Sequence, residues 1–213
     1  MKRLTLLTAA LALSGLANFA QAKTLETVAS FTVIADMVHN VGGDHVHVTS
    51  LIGPNGDPHV YEPTPNDAQA LKKADVVFVS GLHLEGWLDR LITASGYKGE
   101  PVVLSNGILT RSMEEDGEKI TDPHAWNSAV NGVVYVRNII KALQKADPDN
   151  AADYKANGEK YIAQLQDMDA YARAQINAIP VAQRKVLTSH DAFGYFGDAY
   201  GVTFLSPLGF STE

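Results

Sequence analysis

Val76-Val77-Phe78-Val79-Ser80 is an almost unbroken apolar run. A strand with one wet face alternates apolar and polar residues; this one does not. It therefore predicts a strand buried on both faces, as in a parallel sheet covered by helices. The flanking sequence agrees. Thr27-Val28-Ala29-Ser30-Phe31-Thr32 is a β-type run, and Ile34-Ala35-Asp36-Met37-Val38 has helical spacing that Gly42-Gly43 ends. Val46 to Thr49 with Leu51-Ile52 predicts a second strand, and Pro65-Asn66-Asp67 opens a helix through Ala74 with Asn66 as N-cap. Glu85 to Ala94 predicts a helix and Pro101 to Leu104 a fourth strand. This alternation points to the α/β class, a parallel sheet flanked by helices. No fixed-period repeat is visible.

Further along, Met113 to Lys119 is acidic and predicts a solvated loop, and Ala129 to Ala146 predicts a helix with Val133, Val136, Ile140 and Leu143 on one face. Asp147-Pro148 offers an N-cap and a first helical residue. From there Tyr154, Tyr161, Leu165, Met168, Ala172, Ile176 and Ile179 recur at helical intervals until Pro180. A single helix of that length spans roughly 48 Å at the α-helical rise. Two readings are open: two helices broken near Gly158, or one spine helix joining two lobes. Arg184 to Ser189 then predicts the first strand of a second lobe, Ala192 to Phe196 the start of a helix, and Val202 to Leu205 the next strand. The sequence from Phe204 to Glu213 carries no closing helix, as expected of a fragment. The organisation expected is a leader over 1–22, an N-terminal metal-binding lobe over 23–146, a linking long helix over 147–180, and the start of a C-terminal lobe over 181–213.

The leader reading rests on Met1-Lys2-Arg3, the apolar stretch Leu4 to Ala20, and the small-x-small pattern Ala20-Gln21-Ala22, which predicts cleavage before Lys23. Its polar residues and short length argue against a membrane span. Cleavage removes two basic residues from a chain already at −7. An acidic product with no basic stripe excludes nucleic acid as a partner. The 213 residues contain no cysteine, so no disulfide can staple the fold and the core must suffice. A lipid anchor also needs a cysteine after the cleavage site. The expected product is a free, monomeric periplasmic protein, not a lipoprotein.

Three histidines stand out. Gly56-Asp57-Pro58-His59-Val60-Tyr61-Glu62-Pro63-Thr64-Pro65 and Thr121-Asp122-Pro123-His124-Ala125-Trp126-Asn127 both read Asp-Pro-His. Proline fixes its own φ and restricts the residue before it, so each imidazole leaves a stiff backbone. A metal site needs such pre-ordered ligands. His190, in Leu187-Thr188-Ser189-His190-Asp191-Ala192-Phe193, follows a strand-like run. His45 and His47 read as one face of a solvated strand, His39 as a helix-surface residue, and Trp87 and Trp126 as core. Glu85 and Trp87 are candidates for packing between the lobes.

Together these motifs resemble the periplasmic metal-binding proteins of ABC importers for zinc, manganese and iron. The matching stretches are the Gly-Asp-Pro-His59 loop through Pro65, Gly81-Leu82-His83-Leu84-Glu85-Gly86-Trp87, Asp122-Pro123-His124-Ala125-Trp126, and Thr188 to Phe196. The resemblance spans residues 23–213. It implies two lobes joined by a long helix, with one metal between them and an importer permease as partner. It also implies His59, His124 and His190 as ligands, with a fourth, usually Asp, beyond residue 213. Zinc members often carry a His-rich loop where this chain has Glu114-Glu115-Asp116-Gly117-Glu118, and manganese members often have Glu at the position of His190. His83 falls where the family usually has a small or polar residue, and is not taken as a ligand.

Imidazole suits zinc, whereas manganese favours more oxygen ligands. Zinc is therefore the expected ion, with Mn2+ or Fe2+ as alternatives. Asp57, Asp122 and Asp191 each adjoin a candidate ligand and are candidate partners for the rings. The other class considered is a metal-dependent hydrolase, on the strength of His190-Asp191. The chain has no HExxH and no nucleophile elbow, so no enzyme activity and no catalytic residue are expected.

Overall fold

The computed structural model describes residues 23–115 and 117–206; the leader reading of residues 1–22 lies outside them. The chain begins β1 (Leu25–Phe31), α1 (Thr32–Gly42), β2 (Val46–Ile52), α2 (Pro65–Lys73), β3 (Val76–Val79), α3 (Leu88–Ser95) and β4 (Val102–Val103). These four strands form one parallel sheet in the order β2-β1-β3-β4. β3 lies inside it, with Val28 opposite Val77 and Phe78 opposite Val102. No residue of β3 is more than 6% exposed, which is why its sequence does not alternate.

Next come β5 (Ser112–Glu115), β6 (Glu118–Thr121), α4 (Ala129–Ala146), α5 (Ala151–Asn177), β7 (Lys185–Leu187), α6 (Gly194–Tyr200) and β8 (Thr203–Leu205). The second parallel sheet pairs β7 with β8. Ile34, Val38 and Val41 of α1 and Tyr135, Val136, Ile139 and Leu143 of α4 join the sheet in one buried core. No helix among the described residues is long and apolar enough to cross a membrane.

Several expectations change. Helix α2 is capped by Thr64, not Asn66: its hydroxyl accepts from Asp67 N–H while Asp67 accepts from Thr64 N–H, a capping box. The segment from Glu85 is not yet helical, because that carboxylate is consumed by loop backbone, as described below. The acidic stretch is a hairpin rather than a loop. β5 and β6 pair antiparallel with Glu115 opposite Glu118, and Asp116-Gly117 is a dipeptide suited to a two-residue turn. Gly117 has φ +81°.

The spine is one helix. α5 runs unbroken for 27 residues, about 40 Å. Gly158 does not break it; a Cβ there would collide with the Ile140 side chain, so glycine lets α5 lie close against α4. The helix starts three residues later than expected because Pro148–Asn150 form a 3-10 turn. Asp147 accepts from Tyr154 OH at 2.6 Å and from Asn150 Nδ2 at 2.7 Å. Asn157 donates to Val41 O and Tyr161 to Asp36, tying the first half of α5 to α1.

Candidate metal centre

His59 lies on the loop after β2, at the carboxyl end of a parallel sheet, where open α/β folds place their ligands. Gly56 makes the entry turn; a Cβ there would collide with Ile52 Cγ2. Asp57 Oδ1 accepts His59 N–H at 2.8 Å. The Trp87 indole N–H donates to Pro58 O at 2.9 Å, holding the proline from the other side. Tyr61 packs edge-on against Trp87 and donates to Asp67 Oδ2. Burial and that bond to Asp67 push the Tyr61 hydroxyl up to about 12, so it remains a donor. The ring of His59 is thus aimed by the backbone on which it sits.

Trp87 is itself positioned by the loop 81–87. Leu82 and His83 have φ of 56° and 66°, a left-handed conformation costly for residues with a Cβ. Glu85 offsets that cost. Its Oε1 accepts from Ser30 Oγ–H and Ser80 N–H, both at 2.7 Å, and Oε2 accepts from Gly81 N–H at 3.0 Å. Burial raises the Glu85 pKa against these bonds.

His124 follows the hairpin and is 1% exposed. Asp122 Oδ1 accepts both its Nδ1–H, at 2.8 Å, and its backbone N–H, at 3.0 Å. A carboxylate on Nδ1 turns the Nε2 lone pair inward. Burial alone would raise the Asp122 pKa, but the bonds from His124 and Arg111 outweigh it and hold the carboxyl below its ordinary value. Arg111 Nη1 donates to Asp122 Oδ2 at 2.6 Å.

His190 sits between β7 and α6. Thr188 Oγ1–H and Ala192 N–H both donate to His190 O, and Asn127 Nδ2 donates to Ala192 O at 2.8 Å. Asp191 lines an adjacent cavity that it shares with Arg111 and Asp198.

The fold brings the three rings together. His124 Nε2 lies 3.1 Å from His59 Nε2 and 3.1 Å from His190 Nε2. The three ligand nitrogens all fall within 4.8 Å of one another. A tetrahedral ion with metal–nitrogen bonds of about 2.0–2.1 Å separates its ligand nitrogens by roughly 3.3 Å, so the cluster is close to that geometry. Its cleft, about 340 Å³, is also lined by Pro58, Trp126 and Ala192. Burial, then the neighbouring His124, lowers His59 to about 4, so at neutral pH it is in the uncharged form that binds metal.

Other histidines stand apart. His45 ends a 3-10 turn rather than sharing a strand face with His47; it meets Asp153 at 2.8 Å, and His47 meets Glu26 at 2.8 Å. His39 is exposed. Trp87 is core, as expected, whereas Trp126 is half-buried, edge-on to Phe31 and tilted against His124. The contact of Arg111 with Asp122 has no local sequence signal: they flank the hairpin, eleven positions apart in sequence.

The family model described as zinc-uptake complex component A, periplasmic (ZnuA), matches residues 27–213. The chain belongs to that family. It is similar to the manganese-binding lipoprotein MntA of Bacillus subtilis, 38% identical over 190 residues, covering 89% of this chain and 62% of that protein. It is similar also to the iron ABC transporter substrate-binding lipoprotein MtsA of Streptococcus pyogenes, 36% identical, covering 86% of this chain and 61% of that protein. A solved structure, a metal-free mutant of a periplasmic metal-binding protein from Candidatus Liberibacter asiaticus, superposes with TM-score 0.80 at 28% identity, covering 88% of this chain and 70% of that one. The chain thus spans about three-fifths of the length of these two curated relatives. Both relatives are named lipoproteins, which conflicts with the expectation of an unlipidated product.

Proposed function

We propose that this chain captures a divalent transition metal outside the cytoplasm and delivers it to the membrane permease of an ABC importer. His59, His124 and His190 are the protein ligands from the described residues. The observation that carries this reading is the convergence of three Nε2 atoms from three separate connections, two of the contacts at 3.1 Å. The ion is cargo, not a catalyst. The family is described as an uptake component, and MtsA is named for an ABC transporter, which leaves the hydrolase alternative without support.

Among ions, a three-imidazole set favours zinc in a test tube. Manganese and iron are supported equally as physiological cargo, since the relatives above are named for those metals. Isothermal titration with zinc tests the shared site. The parent should bind one ion per chain, and His59→Ala or His124→Ala should each abolish most of that binding. If both variants titrate like the parent, the reading fails. Metal content after export, with all three ions supplied, identifies the cargo. N-terminal sequencing of the exported product should begin at Lys23, and a retained Met1 in the membrane fraction would contradict export with cleavage.

A further inference from the structure

His59 and His124 belong to the region built on the first sheet, whereas His190 is carried by the turn between β7 and α6. Something must hold the third ring in register with the other two. Asn127 does part of this through Ala192 O. Further contacts converge on Arg111 and Asp122. Arg111 Nη1 donates to Asp122 Oδ2 at 2.6 Å while its Nε donates to Asp198 Oδ2, on α6, at 2.8 Å. Arg111 N–H donates to Tyr195 OH, also on α6, and that hydroxyl donates to Asp122 O at 2.8 Å. One residue therefore grips α6 with its side chain and its backbone, and grips the carboxylate that orients His124.

The close approach is built in. Gly194, the first residue of α6, has no Cβ; one placed there would collide with the Arg111 guanidinium and lie 2.7 Å from Asp122 Oδ2. Any other residue would have to displace the Arg111 guanidinium or the start of α6. Asp122 is 1% exposed, so its end of the pair is buried, and a planar guanidinium presents donors to two carboxylates in fixed directions, which a lysine's flexible ammonium does not.

We propose that Arg111 is a positioning residue for metal capture: it docks α6 on Asp122 and so holds His190 against His124. The inference rests on the three-histidine reading above. Losing the fork loosens the His190 arm and speeds release of the ion, without removing a ligand.

The test is a double-mutant cycle on zinc affinity and dissociation rate, using the exported chain, Arg111→Lys, His190→Ala and the double variant. Lysine keeps the positive charge beside Asp122, so the orientation of His124 is retained. Arg111→Lys should weaken zinc binding by about tenfold, the low end for groups that orient a ligand without touching the metal, mostly through faster dissociation. With His190 already alanine, the same change should have an effect of no more than about twofold, since the partner through which it acts is gone. A similar loss in both backgrounds would mean a general structural effect and would overturn the proposal, as would no loss in either. Gly194→Ala supplies an independent arm and should reproduce the faster dissociation with His59 and His124 intact; unchanged dissociation there contradicts the proposal. If His190→Ala itself leaves affinity unchanged, the three-histidine reading has failed rather than the role of Arg111.

Discussion

β3 and β7 are both short parallel strands, each the entry to a connection near the metal cluster, but their surroundings differ. Val76 to Val79 are at most 6% exposed, whereas Val186 is 42% and Leu187 72% exposed. β3 is flanked by β1 and β4 and covered by helices; among the described residues β7 pairs with β8 alone. The three rings are held differently too. His59 and His124 are aimed by loops bonded into a packed core, through Trp87, Tyr61 and Asp122. His190 is aimed by polar contacts that cross from one region to the other, through Asn127, Tyr195 and Arg111. Packing is short-ranged and dense and fixes position well; a few hydrogen bonds at a partly wet surface open more readily. Of the three proposed ligands, His190 is accordingly the more adjustable.

The largest expected effect is on binding. His124→Ala should cost more than about a hundredfold in zinc affinity, beyond the range for groups that only orient a ligand, because His124 Nε2 lies 3.1 Å from the Nε2 of each of the other two rings. His190→Ala should cost less and act mainly on dissociation. Competition titration with a chromophoric chelator measures both; equal losses would erase the distinction between fixed and adjustable ligands.

Next comes stability. Phe78 is 0% exposed, so Phe78→Ala should destabilise by about 3–5 kcal/mol. Val186→Ala, at a half-exposed position, should cost less than about 1 kcal/mol. Urea unfolding compares them, and similar costs would mean that the second sheet is as tightly packed as the first. Thr64→Ala removes the α2 capping box and should cost about 1 kcal/mol, with metal affinity unchanged.

The smallest effect concerns the anchor of the second region on α5. Arg173 bonds Asp169 through Nε at 2.9 Å and donates to Ala199 O at 2.8 Å, while Tyr200 OH donates to Asp169. The Arg173 bond lowers the Asp169 pKa. A depressed carboxyl contributes stability above its ordinary value of 3.8, and loses it as pH falls through the depressed one. Asp169→Asn should therefore speed amide exchange in α6 and β8 at neutral pH, by well under about 1 kcal/mol for a pair this exposed. The difference from the parent should vanish in acid. A difference that persists in acid would assign the effect to shape rather than charge.

Much of this was legible in the sequence. The apolar run at Val76 and the alternation around it yield the parallel sheet, and α4 has the bounds its periodicity predicts, Ala129–Ala146. The spine helix is also visible, but Gly158 obscures its continuity, since helical weakness and close packing both select glycine. The hairpin over 112–121 was hidden by its charge, although Asp116-Gly117 signals it. His59, His124 and His190 stand out by motif; the family resemblance implies that they meet, and the fold brings their Nε2 atoms together. Glu85 and Arg111 act through contacts 55 and 87 residues away in sequence, a distance at which no local pattern speaks.

The most direct measurement is zinc K-edge X-ray absorption on the loaded chain. Three imidazoles with nitrogen at about 2.0–2.1 Å is the predicted signature, falling to two when His190 is replaced by alanine. A shell of oxygen ligands with fewer than three imidazoles in the parent, or a spectrum unmoved by that substitution, would contradict a centre assembled from His59, His124 and His190.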